Sequence, residues 1–124
     1  MSFETALFDK LSSGVTLVGS RIYAGVAPQG TATPFIVYSK VSAEKQYAHS
    51  GAGGLTRDRL QVSVYSTGYL AAKKVVKQVE TALESWPSVQ AAFKQNELDL
   101  RDEATNLFHV PVDYFIWHNI ATTT

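Results

Sequence analysis

No cysteine occurs in the chain, which excludes disulfides, thiol nucleophiles and Cys-ligated zinc together. The same absence suits folding in a reducing compartment, so synthesis in the cytoplasm is expected. The N-terminus, MSFETALFDK, has neither a basic leader nor a long apolar run and is not a signal peptide. No stretch approaches the roughly 20 apolar residues that span a bilayer, so no membrane contact is expected. An excess of one charge is missing too. Lys plus Arg is 11 and Asp plus Glu is 11, a formal net charge of zero. Proteins that hold nucleic acid by counterion release carry a basic excess or a basic face. The basic clusters present, Arg57 with Arg59 and Lys73, Lys74 with Lys77, read as solvated faces.

What is present is an ordinary globular chain. Its 124 residues fit one domain, 1–124, with 118–124 expected to be a flexible tail. Charged residues are 18% of the chain, which leaves much uncharged surface for contact between subunits. Phe3, Leu7 and Leu11 repeat at a spacing of four, which predicts a short helix from Phe3 to Ser12 with Ser2 as its cap. Arg21 to Ala24 is a brief β-prone run. Gly25 to Pro34 holds two glycines and two prolines and predicts a loop. Phe35 to Val41 is rich in aromatic and β-branched residues and predicts a strand.

Ser42 to Gly54 is polar and ends in a glycine cluster. It predicts a hairpin arm whose return strand is Leu55 to Ser66, where Leu60, Val62 and Val64 alternate with polar neighbours. Tyr69, Ala72, Val76, Val79 and Leu83 then mark the clearest helix, Gly68 to Ser85. Ser66 and Thr67 are its expected caps, and Trp86-Pro87 stops it. Val89 to Arg101 predicts one strand or a broken pair, with a turn or bulge at Gln95 to Glu97. Phe108, Val110, Val112, Tyr114 and Ile116 alternate with His109, Pro111, Asp113, Phe115 and Trp117 in the longest period-two run. Pro111 is expected to mark an edge or a bulge. The fold class is therefore α+β, a mostly antiparallel sheet of four to five strands with one long helix on a face and a short N-terminal helix.

Catalytic patterns are absent. Gly51, Gly53 and Gly54 lead into Leu55-Thr56-Arg57 and a strand, not into the Lys-Ser or Lys-Thr and helix of a phosphate loop. His109 and Asp113 share a strand face but stand about 13 Å apart, too far to chelate one ion by themselves. No nucleophile elbow is present. Tyr114 and Trp117 lie on opposite faces of one strand and suit core packing or an interface.

Three segments, in this order and spacing, carry a resemblance. They are Arg21 to Tyr23 with Gly25-Val26-Ala27-Pro28-Gln29-Gly30 and Pro34 to Tyr38; Arg59 to Tyr65 with Tyr69 and Ala72; and Phe108 to His118. Together they resemble the tail completion family of long-tailed phages and prophages, which includes head-tail joining and tail-terminator-like proteins. Ala24 departs from a proline common at that position. The resemblance implies a structural virion protein with no enzymatic activity, no cofactor and no metal. It also implies a homo-oligomeric ring, usually a hexamer, at the head-proximal end of the tail. Its partners would be the tail tube protein and the head-tail connector, with genomic DNA passing through unread. Ring subunits close by heterologous contacts. The candidate interface residues are Tyr47, His49, Gly51, Gly53, Gly54 and Arg57 in the arm, and Val26, Pro28 and Gln29 in the Gly25 to Pro34 loop. The alternative readings are a small nucleic-acid-binding module and an unrelated assembly adaptor.

Overall fold

A computed structural model describes residues 2–46 and 55–119. The chain begins with helix α1 (Phe3–Gly14), capped by the Ser2 hydroxyl, which accepts from the Thr5 N–H at 3.2 Å. A single 3-10 turn (Thr16–Val18) leads to strand β1 (Ile22–Ala24). Strands β2 (Phe35–Gln46) and β3 (Leu55–Ser66) follow, then helix α2 (Tyr69–Glu84). Strands β4 (Ala91–Glu97), β5 (Leu100–Asp102) and β6 (Leu107–His118) complete the chain.

The six strands form one sheet in the order β1-β2-β3-β6-β4, with β5 pairing further along β6. The α+β class and the mostly antiparallel sheet stand, with two corrections, to strand number and helix length, and one added detail, a parallel edge pair. The sheet is larger than four to five strands, because β5 is separate from β4 and β1 joins at the edge. The β1–β2 pair is parallel, Ile22 against Ile36, within an otherwise antiparallel sheet. And α2, at 16 residues, is of moderate length rather than long.

Both helices pack on one face of the sheet. Leu60, Val62 and Val64 of β3 meet Val110, Val112, Tyr114 and Ile116 of β6 beneath Val75, Val76 and Val79 of α2. Burial of these side chains supplies the main drive to fold, about 1.5–3 kcal/mol each. Helix α1 adds Phe3, Leu7 and Leu11 to the same core and lies against α2, its own last residue meeting Ala82 closely. The alternation read in β3 and β6 is thus the alternation between a core face and an open face.

Two local expectations change. Helix α2 is capped by Gly68 without a side-chain bond; the Ser66 hydroxyl accepts from the Gly68 N–H instead, and Thr67 is exposed. Pro111 lies mid-strand in β6, at the centre of the sheet, opposite Ser63. Its carbonyl accepts from the Leu98 N–H at 3.1 Å, so this side of Pro111 faces the gap between β4 and β5. A residue without an N–H is tolerated there because the neighbouring ladder is already interrupted.

Candidate assembly surfaces

Among the described residues the second face of the sheet carries no helix. Parity puts Phe35 of β2, Tyr65 of β3 and His109 of β6 side by side there. Their rings stack in a row, with centroids 4.8 Å apart from Phe35 to Tyr65 and 4.3 Å from Tyr65 to His109. Leu100 of β5 pairs with His109 and extends the row. Desolvation beside these rings holds the His109 imidazole below its usual range, although the Asp102 carboxylate pulls the other way.

Lower on the same face Asp113 accepts from Arg59 and Gln61, both at 3.2 Å. Lower still, the Arg57 guanidinium lies over Phe115 at 4.8 Å and Trp117 at 5.6 Å, and pairs with Glu44 at 2.7 Å. Phe93 of β4 stands opposite Phe115 and is 55% exposed. The face therefore reads aromatic, polar, aromatic along the strands. Trp117 sits on this open face, whereas Tyr114 is core, its hydroxyl held above its usual range by burial.

The Gly25 to Pro34 loop borders the aromatic row. Gly25 and Gly30 adopt φ of 79° and 80°, a region that side chains with a Cβ disfavour. The turn at Gly25 projects Val26 into solvent, 77% exposed. Val26, Ala27, Phe35, Val37 and Tyr65 then flank an open cleft of about 250 Å³. Pro28 and Gln29 are exposed further along the loop. Of the candidate residues, Arg57, Val26, Pro28 and Gln29 are thus placed on or beside the open face. Tyr47, His49, Gly51, Gly53 and Gly54 lie outside the described residues.

Ionic contacts cluster between α2 and the β4–β5 connection. Lys73 bridges Glu97 and Asp99, Tyr69 donates to Asp99 at 2.9 Å, and Lys94 reaches Glu97 at 2.5 Å. Burial opposes the charge on Lys73, but its two carboxylate partners outweigh that and raise it. Hydrogen bonds from Lys73 and Lys94 lower Glu97. This is a clasp between helix and sheet, with cations and anions already matched. Among the described residues no group of three or more His, Asp or Glu is placed to hold a metal ion.

One pair escaped the sequence reading. The Asp58 carboxylate meets the His118 imidazole at 2.7 Å with both side chains fully buried, and Phe3 stacks on the imidazole at 4.0 Å. His118 was expected in a frayed tail, yet it is the last residue of β6, paired with Thr56. The available signal was phase: Asp58 continues the core-facing series Leu60, Val62, Val64, and His118 continues Tyr114, Ile116.

Comparison with known proteins adds identity to this geometry. The model of the family "Tail completion protein gp17" matches residues 5–119. The chain belongs to that family. It is accordingly a structural protein of the phage tail and a component of the virion. A solved chain from the virion of a native gene transfer agent (GTA) particle has the same fold, with a TM-score of 0.72 and 17% sequence identity. The likeness covers 94% of this chain and 93% of that one. No curated protein matches.

Proposed function

We propose that this tail completion protein finishes or terminates the tail at its head-proximal end and helps to join it to the connector beneath the capsid. It does so as a homo-oligomeric ring, a hexamer in the finished virion, stacked on the tail tube protein and passing genomic DNA through its centre. Its role is structural rather than enzymatic. The observation that carries this reading is the family match over residues 5–119 of a chain whose described helices pack on one face of its sheet. A ring subunit needs free surface on two sides, because heterologous contacts use a different patch toward each neighbour. The zero net charge supports passage of DNA without tight or sequence-specific binding.

The neighbour contacts in this reading are the arm, with Tyr47, His49, Gly51, Gly53, Gly54 and Arg57, and the loop carrying Val26, Pro28 and Gln29. The test is electron microscopy of particles from a phage or prophage lacking the gene. Full heads lying apart from tails mean joining, and tails of uncontrolled length mean termination. Normal joined particles would overturn the proposal.

A further inference from the structure

Between Trp86 and Val110 the chain sends no side chain fully into the core. From Pro87 to His109 every residue is exposed or half-buried, and Val89, Ala92 and Phe108 pack against the core cluster from its margin. Phe93, Leu98 and Leu100 stand exposed. The segment nonetheless folds as β4 and β5, so backbone bonds and charges hold it where apolar burial does not.

The backbone bonds run to β6, and they are interrupted. The register shifts between Lys94 and Asn96, and Pro111 accepts from the Leu98 N–H at 3.1 Å but has no N–H to return. β5 adds a short ladder, from Leu100 opposite His109 to Asp102 opposite Leu107. The charges run to α2. Lys73 bridges Glu97 and Asp99, Tyr69 donates to Asp99 at 2.9 Å, and Lys94 reaches Glu80 at 3.5 Å. Opposite Lys94, the Tyr114 hydroxyl is buried without a hydrogen-bond partner among the described residues. Water admitted at this point would satisfy it, which lowers the cost of parting β4 from α2.

We propose that Ser88 to Asn106 is a strap that opens as one unit, fastened by the Lys73–Glu97–Asp99 clasp, while both helices and β1, β2, β3 and β6 stay closed. It is a property of the single chain and holds whether or not a ring forms. Each end is suited to act as a hinge. Buried Trp86 anchors the chain just ahead of Pro87, and Asn106, at φ of 60°, turns it into β6. A segment that gives up little buried apolar surface opens at a lower free energy than the whole fold. Its ion pairs weaken as salt shortens the Debye length, from about 10 Å at 0.1 M to about 3 Å at 1 M. With the strap away, the outer edge of β6 from Leu107 to Trp117 lies bare, a second outline of the sheet reached without unfolding the core.

Amide hydrogen exchange of the full chain, read peptide by peptide in a mass spectrometer, tests this. Amides of β4 and β5 should exchange together, and faster than those of β3, α2 and Val110 to Trp117. Raising salt from about 0.1 M to about 1 M should speed the strap about fivefold and leave the other peptides unchanged. Lys73→Gln should do the same at low salt and leave little further response to salt. Asp99→Asn, at an exposed position that folding does not need, should shift the strap in the same direction by less. Strap amides that exchange only at the rate of the core would overturn the proposal. So would loosening of β5 alone while β4 keeps the protection of the core. A strap that opens early but responds to neither salt nor the two substitutions would overturn the clasp as its fastener.

Discussion

Asp58 and His118 hold the root of the arm, the end of β6 and the start of α1 around one buried contact. A carboxylate and an imidazole at 2.7 Å, both fully buried, leave the Asp58 Oδ1 without a hydrogen-bond partner among the described residues. Such a pair is costly to break from one side, because the remaining polar group stays desolvated. Asp58→Ala is therefore expected to destabilise the fold by about 3 kcal/mol in urea unfolding. Asp58→Asn keeps a partner for the ring and should cost clearly less; equal losses would show that packing volume, not the polar contact, matters there. His109 makes a different prediction. Its folded-state pKa is lowered by burial, so the unfolded chain takes up a proton first as pH falls. Stability should be flat above the unfolded pKa of about 6.5 and decline below it, down to the folded value. His109→Phe retains a ring between Tyr65 and solvent and should remove that part of the acid-side decline.

At the scale of elements, the join between the helices is the most exacting contact. A Cβ built on Gly14 would lie 2.5 Å from the Ala82 Cβ, which no rotamer change relieves. Gly14→Ala should thus cost about 1–3 kcal/mol through overpacking. Adding Ala82→Gly should recover part of it in a double-mutant cycle, less the helix-propensity cost of a glycine in the last turn of α2, below the roughly 1 kcal/mol of a helix interior. Additive losses would mean that the two positions do not meet.

The elements themselves were largely legible. α1, α2, β3 and β6 follow from hydrophobic spacing alone, because each buries one continuous stripe. The irregularity at Gln95 was legible from its polar neighbours. What was not legible shares a cause: it depends on partners distant in sequence. The strand read from β-propensity stops at Val41, yet β2 continues to Gln46 along the outgoing side of the expected arm, held by β3 through pairs such as Ser42 with Arg59 and Glu44 with Arg57. The parallel pairing of β1 has no local signature. Pro111 reads as marking an edge or a bulge; it lies mid-sheet instead, beside an interruption that belongs to the β4–β5 connection. Asp58 was passed over because an acid in a core phase looks like noise until its partner, at a sequence separation of 60, is known.

For the whole molecule, the question is which surface is free because folding does not need it. Val26 answers most clearly, at 77% exposed on the loop that borders the Phe35–Tyr65 cleft. A substitution there has little to disturb, and surface changes of this kind stay within about 0.5 kcal/mol. Val26→Asp should accordingly leave the unfolding transition of the isolated chain in place. In the assembled tail, the same change puts a carboxylate beside the Phe35–Tyr65 cleft, where a neighbouring subunit would have to desolvate it. Quantifying this chain in purified particles from cells that supply only Val26→Asp should show a marked loss relative to wild type, with heads and tails separated in proportion. Arg57→Ala, which uncovers Phe115 and Trp117 and releases Glu44, should act in the same direction if the arm root is also a contact. Wild-type levels of Val26→Asp in joined particles would remove the loop from the interface and leave the arm as the remaining candidate.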